Sequence, residues 1–98
     1  MTKHDHYLHK LKESLEQEYE AILTHVPIYQ PFRRKQRLIG EIDILPRRGD
    51  KYDAYEVKCS PRYVKARKQL RRIRKVSHFN ITRTFFYCGS SGLLIRMT

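Results

Sequence analysis

The 98-residue chain has no tryptophan, two cysteines, four glycines and four prolines. Two cysteines cannot make the disulfide framework that staples small secreted domains, and no CxxC pair exists for zinc or redox chemistry. Cys59 and Cys88 therefore read as free thiols packed in a sheet. Long apolar runs are missing as well. No segment approaches the ~20 apolar residues of a membrane-spanning helix, and Met1–Lys12 is polar and His-rich, unlike a signal peptide. These absences lead to the expectation of an intracellular, cytoplasmic protein without a membrane partner. No repeat, low-complexity tract or Gly/Ser linker interrupts the chain, so residues 1–98 read as one domain. Hydrophobic residues make up 40% of the chain, enough to argue against general disorder.

Acidic residues are the other scarcity: 10 Asp and Glu face 21 Lys and Arg, for a formal net charge of +11. Their distribution is uneven. Met1–His25 holds Lys3, Lys10 and Lys12 against Asp5, Glu13, Glu16, Glu18 and Glu20, whereas Pro61–Thr98 holds ten basic residues and no acid. Arg62, Lys65, Arg67, Lys68, Arg71, Arg72, Arg74 and Lys75 form one dense cluster, and Arg33, Arg34, Lys35 and Arg37 another. Two such clusters on a small domain are the electrostatic footprint of a nucleic-acid binder. An anionic membrane fits less well, because the segment lacks a wide apolar face with aromatic anchors.

Periodicity gives the element order. Leu8, Leu11, Leu15, Tyr19 and Ile22 repeat every three or four residues, which predicts an amphipathic helix from Asp5, its N-cap, to Thr24, ended by Pro27. After an irregular stretch with Pro27 and Pro31 come a strand-like Gln36–Ile39 and an alternating strand Glu41–Leu45. Pro46, Gly49 and Asp50 mark a turn, and Tyr52–Cys59 alternates again. Ser60-Pro61 starts a second amphipathic helix, carried by Ala66, Leu70, Ile73 and Val76 to about His78. Ile81–Cys88 and Leu93–Met97 are strands around the Gly89–Gly92 turn. Helix, three strands, helix and two strands make an α/β fold with a mixed sheet, the second helix acting as a parallel crossover.

Alternation places Glu56 and Lys58 on one face of their strand, and Glu41 and Asp43 on one face of the preceding strand, with Ile42 and Ile44 toward the core. A hairpin through Pro46–Asp50 would join those polar faces. Clustered carboxylates repel unless a cation joins them, and hard oxygen ligands select Mg²⁺ or Mn²⁺ over zinc. Such an ion beside a lysine predicts metal-assisted phosphodiester hydrolysis.

Asp43, twelve residues, then Glu56-Val57-Lys58 resembles the D-x(n)-E-x-K core of the PD-(D/E)XK nuclease superfamily. Gly40-Glu41-Ile42-Asp43-Ile44 and Tyr55-Glu56-Val57-Lys58-Cys59-Ser60 look like small members such as archaeal Holliday-junction resolvases and viral or repair nucleases. Ile42 stands where a proline is frequent, and Arg34–Ile39 stands where the resolvases carry a serine-containing loop. The resemblance spans Leu8 to about Cys88 and implies a restriction-endonuclease-like core. It also implies roles: Asp43 and Glu56 as metal ligands, the Val57 carbonyl completing the shell, and Lys58 as the catalytic lysine. The family usually adds a glutamate from the first helix. On a helical wheel Glu18 falls nearest the apolar stripe and ranks first, with Glu16 second. Gln69, eleven residues after Lys58, matches a glutamine that supports the metal site or backbone binding in several subfamilies.

The expected protein is thus a Mg²⁺- or Mn²⁺-dependent DNA endonuclease, with RNA as the other candidate substrate. Arg33, Arg34, Lys35 and Arg37, together with Arg62, Lys65, Arg67, Lys68, Arg71, Arg72 and Lys75, would grip the phosphate backbone. Such contacts position nucleic acid without reading sequence, and no subdomain remains to read bases, so branched or junction DNA is the expected substrate. Phe85, Phe86, Leu93, Leu94 and Ile95 are expected in the core or at a homodimer face. Tyr52, Tyr55, Tyr63 and Tyr87 fit a half-buried sheet, and His4, His6 and His9 are expected to be solvated. The rival readings are a non-catalytic nucleic-acid-binding module and a basic protein that binds an acidic partner.

Overall fold

Helix, three strands, helix and two strands follow one another along the chain. The computed structural model describes residues Met1–Thr98. The elements are α1 (Lys3–Leu15), β1 (Ala21–Phe32), β2 (Lys35–Arg48), β3 (Lys51–Lys58), α2 (Tyr63–Val76), β4 (Ile81–Cys88) and β5 (Leu93–Arg96). The strands lie side by side in chain order in one mixed sheet. All neighbours are antiparallel except β3 and β4, which α2 joins as the expected crossover. The α/β class and the element order are those expected.

Each helix covers one face. Leu8, Leu11 and Leu15 of α1 pack with Ile44, Tyr55 and Val57. Leu70 and Ile73 of α2 pack with Ile28, Ile42, Leu45, Ala54 and Ile81 on the other face. Tyr55 and Ala54 are sequence neighbours on β3 and point to opposite layers, as the pleat requires. No helix is long and apolar enough to cross a membrane.

The N-terminal third differs from the expectation. The N-cap is Thr2, whose hydroxyl accepts from the Asp5 N–H at 3.1 Å. The helix ends at Leu15, not Thr24, and the supposed end of the helix and irregular stretch form the twelve-residue β1. Ile22 satisfies both periods: it continues the helical spacing from Leu15 and opens a period-2 series with Thr24, Val26 and Ile28. These are β-branched residues, whose stiff side chains suit a strand. The ladder with β2, from Ala21 opposite Arg47 to Phe32 opposite Lys35, decides for the strand. Pro27 and Pro31 are tolerated because β1 is a sheet edge, where a missing N–H costs no interior ladder bond. The segments Gln36–Ile39 and Glu41–Leu45 are one continuous β2, and the turn contracts to Gly49-Asp50, with Gly49 at φ 62°.

The ladder slips register between Ile28 and Tyr29 in β1–β2 and between Tyr52 and Asp53 in β3–β4, and β1 and β2 also exchange faces. Ile42 packs under α2 and Ile44 under α1, although they are two residues apart. Val26 and Ile22 are divided between the faces in the same way. The paired strands exchange faces at His25, which has φ 53°, and at Asp43. Strict alternation would put Ile42 and Ile44 on one side.

Candidate active site

β2 and β3 part at one end. Their pairing runs from Arg48 opposite Lys51 to Ile44 opposite Tyr55 and stops there, so Asp43 and Glu56, the next residue on each strand, stand in a fork. The Val57 N–H, freed from the ladder, donates to Asp43 Oδ2 at 2.8 Å. That bond holds the carboxylate inside the fork. Asp43 is 6% exposed and Glu56 2%.

Lys58 completes the group. Its Nζ lies 3.1 Å from Glu56 Oε1 and donates to Gln69 Oε1 at 3.3 Å, so α2 and β3 together fix the ammonium. The other Glu56 oxygen, Oε2, is buried without a hydrogen-bond partner. Burial first, and the Asp43 charge second, push the Glu56 carboxyl well above the usual carboxylate range, against the pull of Lys58. Burial also raises Asp43, opposed by the Val57 N–H and His4. Two acids buried together with one oxygen unpartnered have room in their charge balance for a cation or a shared proton. Asp43, Glu56 and the Val57 carbonyl are hard oxygen donors, so the set fits Mg²⁺ or Mn²⁺.

The first-helix ligand is a correction. Glu18 lies beyond the end of α1, exposed in the turn before β1, and contacts neither Asp43 nor Glu56. Glu16 is the C-cap and pairs with Lys12 at 3.5 Å. The residue that α1 brings to the fork is His4, against the expectation of a solvated side chain. Its Nε2 donates to the Val57 carbonyl at 3.0 Å and lies 3.4 Å from Asp43 Oδ2. The same wheel could have found it, because His4 sits one turn before Leu8, within the apolar stripe. Glu41 also stays outside, paired with His25 Nδ1 at 3.0 Å on the surface. The face exchange at Asp43 separates it from its strand neighbour, leaving two carboxylates where three were expected. No group of three His, Cys, Asp or Glu side chains forms a ready metal cage.

The cations of the two basic clusters are exposed throughout. At 100° per residue, Lys65 and Arg72 share a flank of α2 with Gln69, while Arg67, Arg71 and Arg74 occupy the opposite flank. There Arg67, Arg71, Arg74 and Lys75, with Thr84 and Thr98, line a cavity of about 200 Å³. Asp43, Glu56 and Lys58 line no cavity. Arg33, Arg34, Lys35 and Arg37 stand on the β1–β2 ribbon, exposed. Cys88 is buried and Cys59 half-buried, both as free thiols. Comparison with protein-family models returns no match for this chain, and a search of curated proteins returns none.

Proposed function

We propose that the protein is a metal-dependent phosphodiesterase acting on DNA, with a restriction-endonuclease-like core of the PD-(D/E)XK type. The observation that carries this reading is the fork: a buried Asp43–Glu56 pair with one carboxylate oxygen unpartnered and Lys58 held beside it by Gln69. The Lys58 ion pair gives that oxygen no partner, and burying an unpartnered polar group costs about 1–3 kcal/mol and more for a charge.

Asp43, Glu56 and the Val57 carbonyl would hold the cation, with His4 beside the carbonyl and Asp43. When bound, the cation would supply Lewis-acid polarisation of a phosphodiester and make a nearby water easier to deprotonate. Lys58 would orient that water or neutralise the charge growing on phosphorus, and Gln69 would keep the ammonium from collapsing wholly onto Glu56. A fork that lines no cavity suits a polymer, whose backbone crosses a surface and enters no pocket. The exposed cations of α2 and the β1–β2 ribbon supply the phosphate contacts. Branched DNA is the favoured substrate, because phosphate contacts of this kind position a strand without reading its sequence.

The test is incubation of the purified protein with plasmid, four-way junction and RNA, in Mg²⁺, Mn²⁺ or EDTA. Cleavage that needs the metal and falls by at least about 1,000-fold in both Lys58→Ala and Asp43→Ala is expected. Cleavage unchanged in those variants would come from a contaminant. Tight DNA binding with no cleavage under any condition would favour the non-catalytic binding module.

A further inference from the structure

The β1–β2 ribbon continues past the body of the protein. β2 loses β3 as a partner at Ile44, yet β1 and β2 stay paired to Phe32 opposite Lys35. The ten residues Tyr29–Leu38 are all exposed. At about 3.3 Å per residue, this two-stranded arm reaches roughly 15 Å beyond its last buried residue, Ile28. The molecule is correspondingly long, 41 × 29 × 27 Å.

Three features of the arm are hard to explain as fold. Phe32 sits at the tip half-exposed, at 51%, where a solvated turn needs no aromatic. The Arg33 and Arg37 guanidiniums lie 5.4 and 5.6 Å from its ring centroid, so the apolar ring is set among cations. Arg33 itself has φ 58°, a conformation that favours glycine or asparagine in a tight hairpin. An arginine kept there strains the turn and places a charge at the tip.

We infer that the arm is a wedge for branched DNA, with Phe32 stacking on a base left unpaired at the branch while Arg33, Arg34 and Lys35 hold the flanking phosphates. Charge selects the occupant. Arg33–Arg37 carries four cations and no acid, so the tip repels a second copy of itself and attracts a polyanion. The ring then decides where on the polyanion, because an aromatic gains most where a base is already unstacked. The inference rests on the reading of a DNA-acting protein and supplies that reading with a basis for preferring branches.

The experiment measures binding in EDTA, so that cleavage plays no part. The full chain is titrated with a fork carrying one unpaired base at the branch and with a uniform duplex of the same length. Wild type should prefer the fork. Phe32→Ala should lose roughly tenfold of that preference, the scale of one base–aromatic stack, with duplex binding held within twofold. Phe32→Trp should restore it. Arg34→Ala should weaken fork and duplex alike. Arg33→Gly should raise Tm and still weaken binding, which separates the tip's function from its fold. Equal binding of fork and duplex by wild type, or an unchanged preference in Phe32→Ala with its melting curve intact, would overturn the wedge. A dimer that Phe32→Ala converts to monomer would make the tip a protein interface and would also overturn it. None of these outcomes depends on catalysis, so a wedge established by binding would stand even if the fork of acids failed to cleave.

Discussion

Asp53 and Glu56 are three residues apart on β3 and both buried, but Asp53 has both oxygens partnered and Glu56 only one. Asp53 accepts from Arg83 Nε at 3.0 Å and Nη2 at 2.6 Å and from the Tyr19 hydroxyl at 2.6 Å, with Arg48 3.5 Å away. Burial pushes its carboxyl up, but Arg83 and Tyr19 outweigh burial and hold it below the usual range. A lowered folded pKa contributes stability above the unfolded value, about 4, and that stability is lost as pH falls through the folded value. Asp53→Asn should therefore cost about 3 kcal/mol at neutral pH, and the gap from wild type should narrow below about pH 4 in thermal melts. A gap independent of pH would assign the loss to packing. Glu56 is the converse: burial and then Asp43 push its carboxyl from 4.5 up to about 8. That costs stability increasingly as pH rises through that window, so Glu56→Gln should raise Tm in EDTA, more at about pH 8 than at about pH 5. Mn²⁺ should then stabilise wild type and leave the variant nearly unmoved. His4 touches both the Val57 carbonyl and Asp43, so His4→Ala should raise the Mn²⁺ concentration needed for cleavage by about 10- to 100-fold. Its Tm should barely change, because His4 lies in the first turn of α1.

At the scale of elements, the site depends on how α1 docks. Tyr7 lies against Gly89, where an added Cβ would collide with its ring. The Gly89 N–H in turn donates to the Lys58 carbonyl at 2.8 Å. One glycine thus sets the distance between the helix that carries His4 and the strand that carries Lys58. Gly89→Ala should displace Tyr7 and move α1 outward. The expected result is a loss of cleavage near 100-fold, the scale of an ångström's misplacement at a reacting group, with only a few degrees lost from Tm. An unchanged rate would show that α1 does not position the site.

For the whole molecule, the net charge of +11 would make the proposed nucleic-acid binding a strong function of salt. If six of the exposed cations on the arm and α2 meet phosphates, affinity for duplex DNA should fall about 1,000-fold between roughly 50 and 200 mM salt. Fluorescence anisotropy at several salt concentrations would measure the slope. A flat response would favour the acidic-protein partner. Two-fold pairing, the other whole-molecule expectation, has the β5 edge to draw on: Leu93 and Leu94 are 47% and 43% exposed. Leu94→Lys should shift any dimer toward monomer in light scattering.

The element order, the mixed sheet and the spacing Asp43–Glu56–Lys58 could be read from the sequence, because they rest on local rules: side-chain period, turn residues and crossover handedness. Those rules failed where two periods overlapped. Ile22 fits a helix and a strand equally, and only the long ladder with β2 ended α1 at Leu15 and moved Glu18 off the helix. The sequence by itself determined a basic α/β chain with an acid pair and a lysine on neighbouring strands. Tertiary structure alone decided that β2 and β3 part at Ile44 and that the strands exchange faces at His25 and Asp43. It likewise brought His4 into the fork in place of Glu18. Each of these is a contact between residues distant in the chain, and the free energy that fixes it comes from packing that no local pattern encodes.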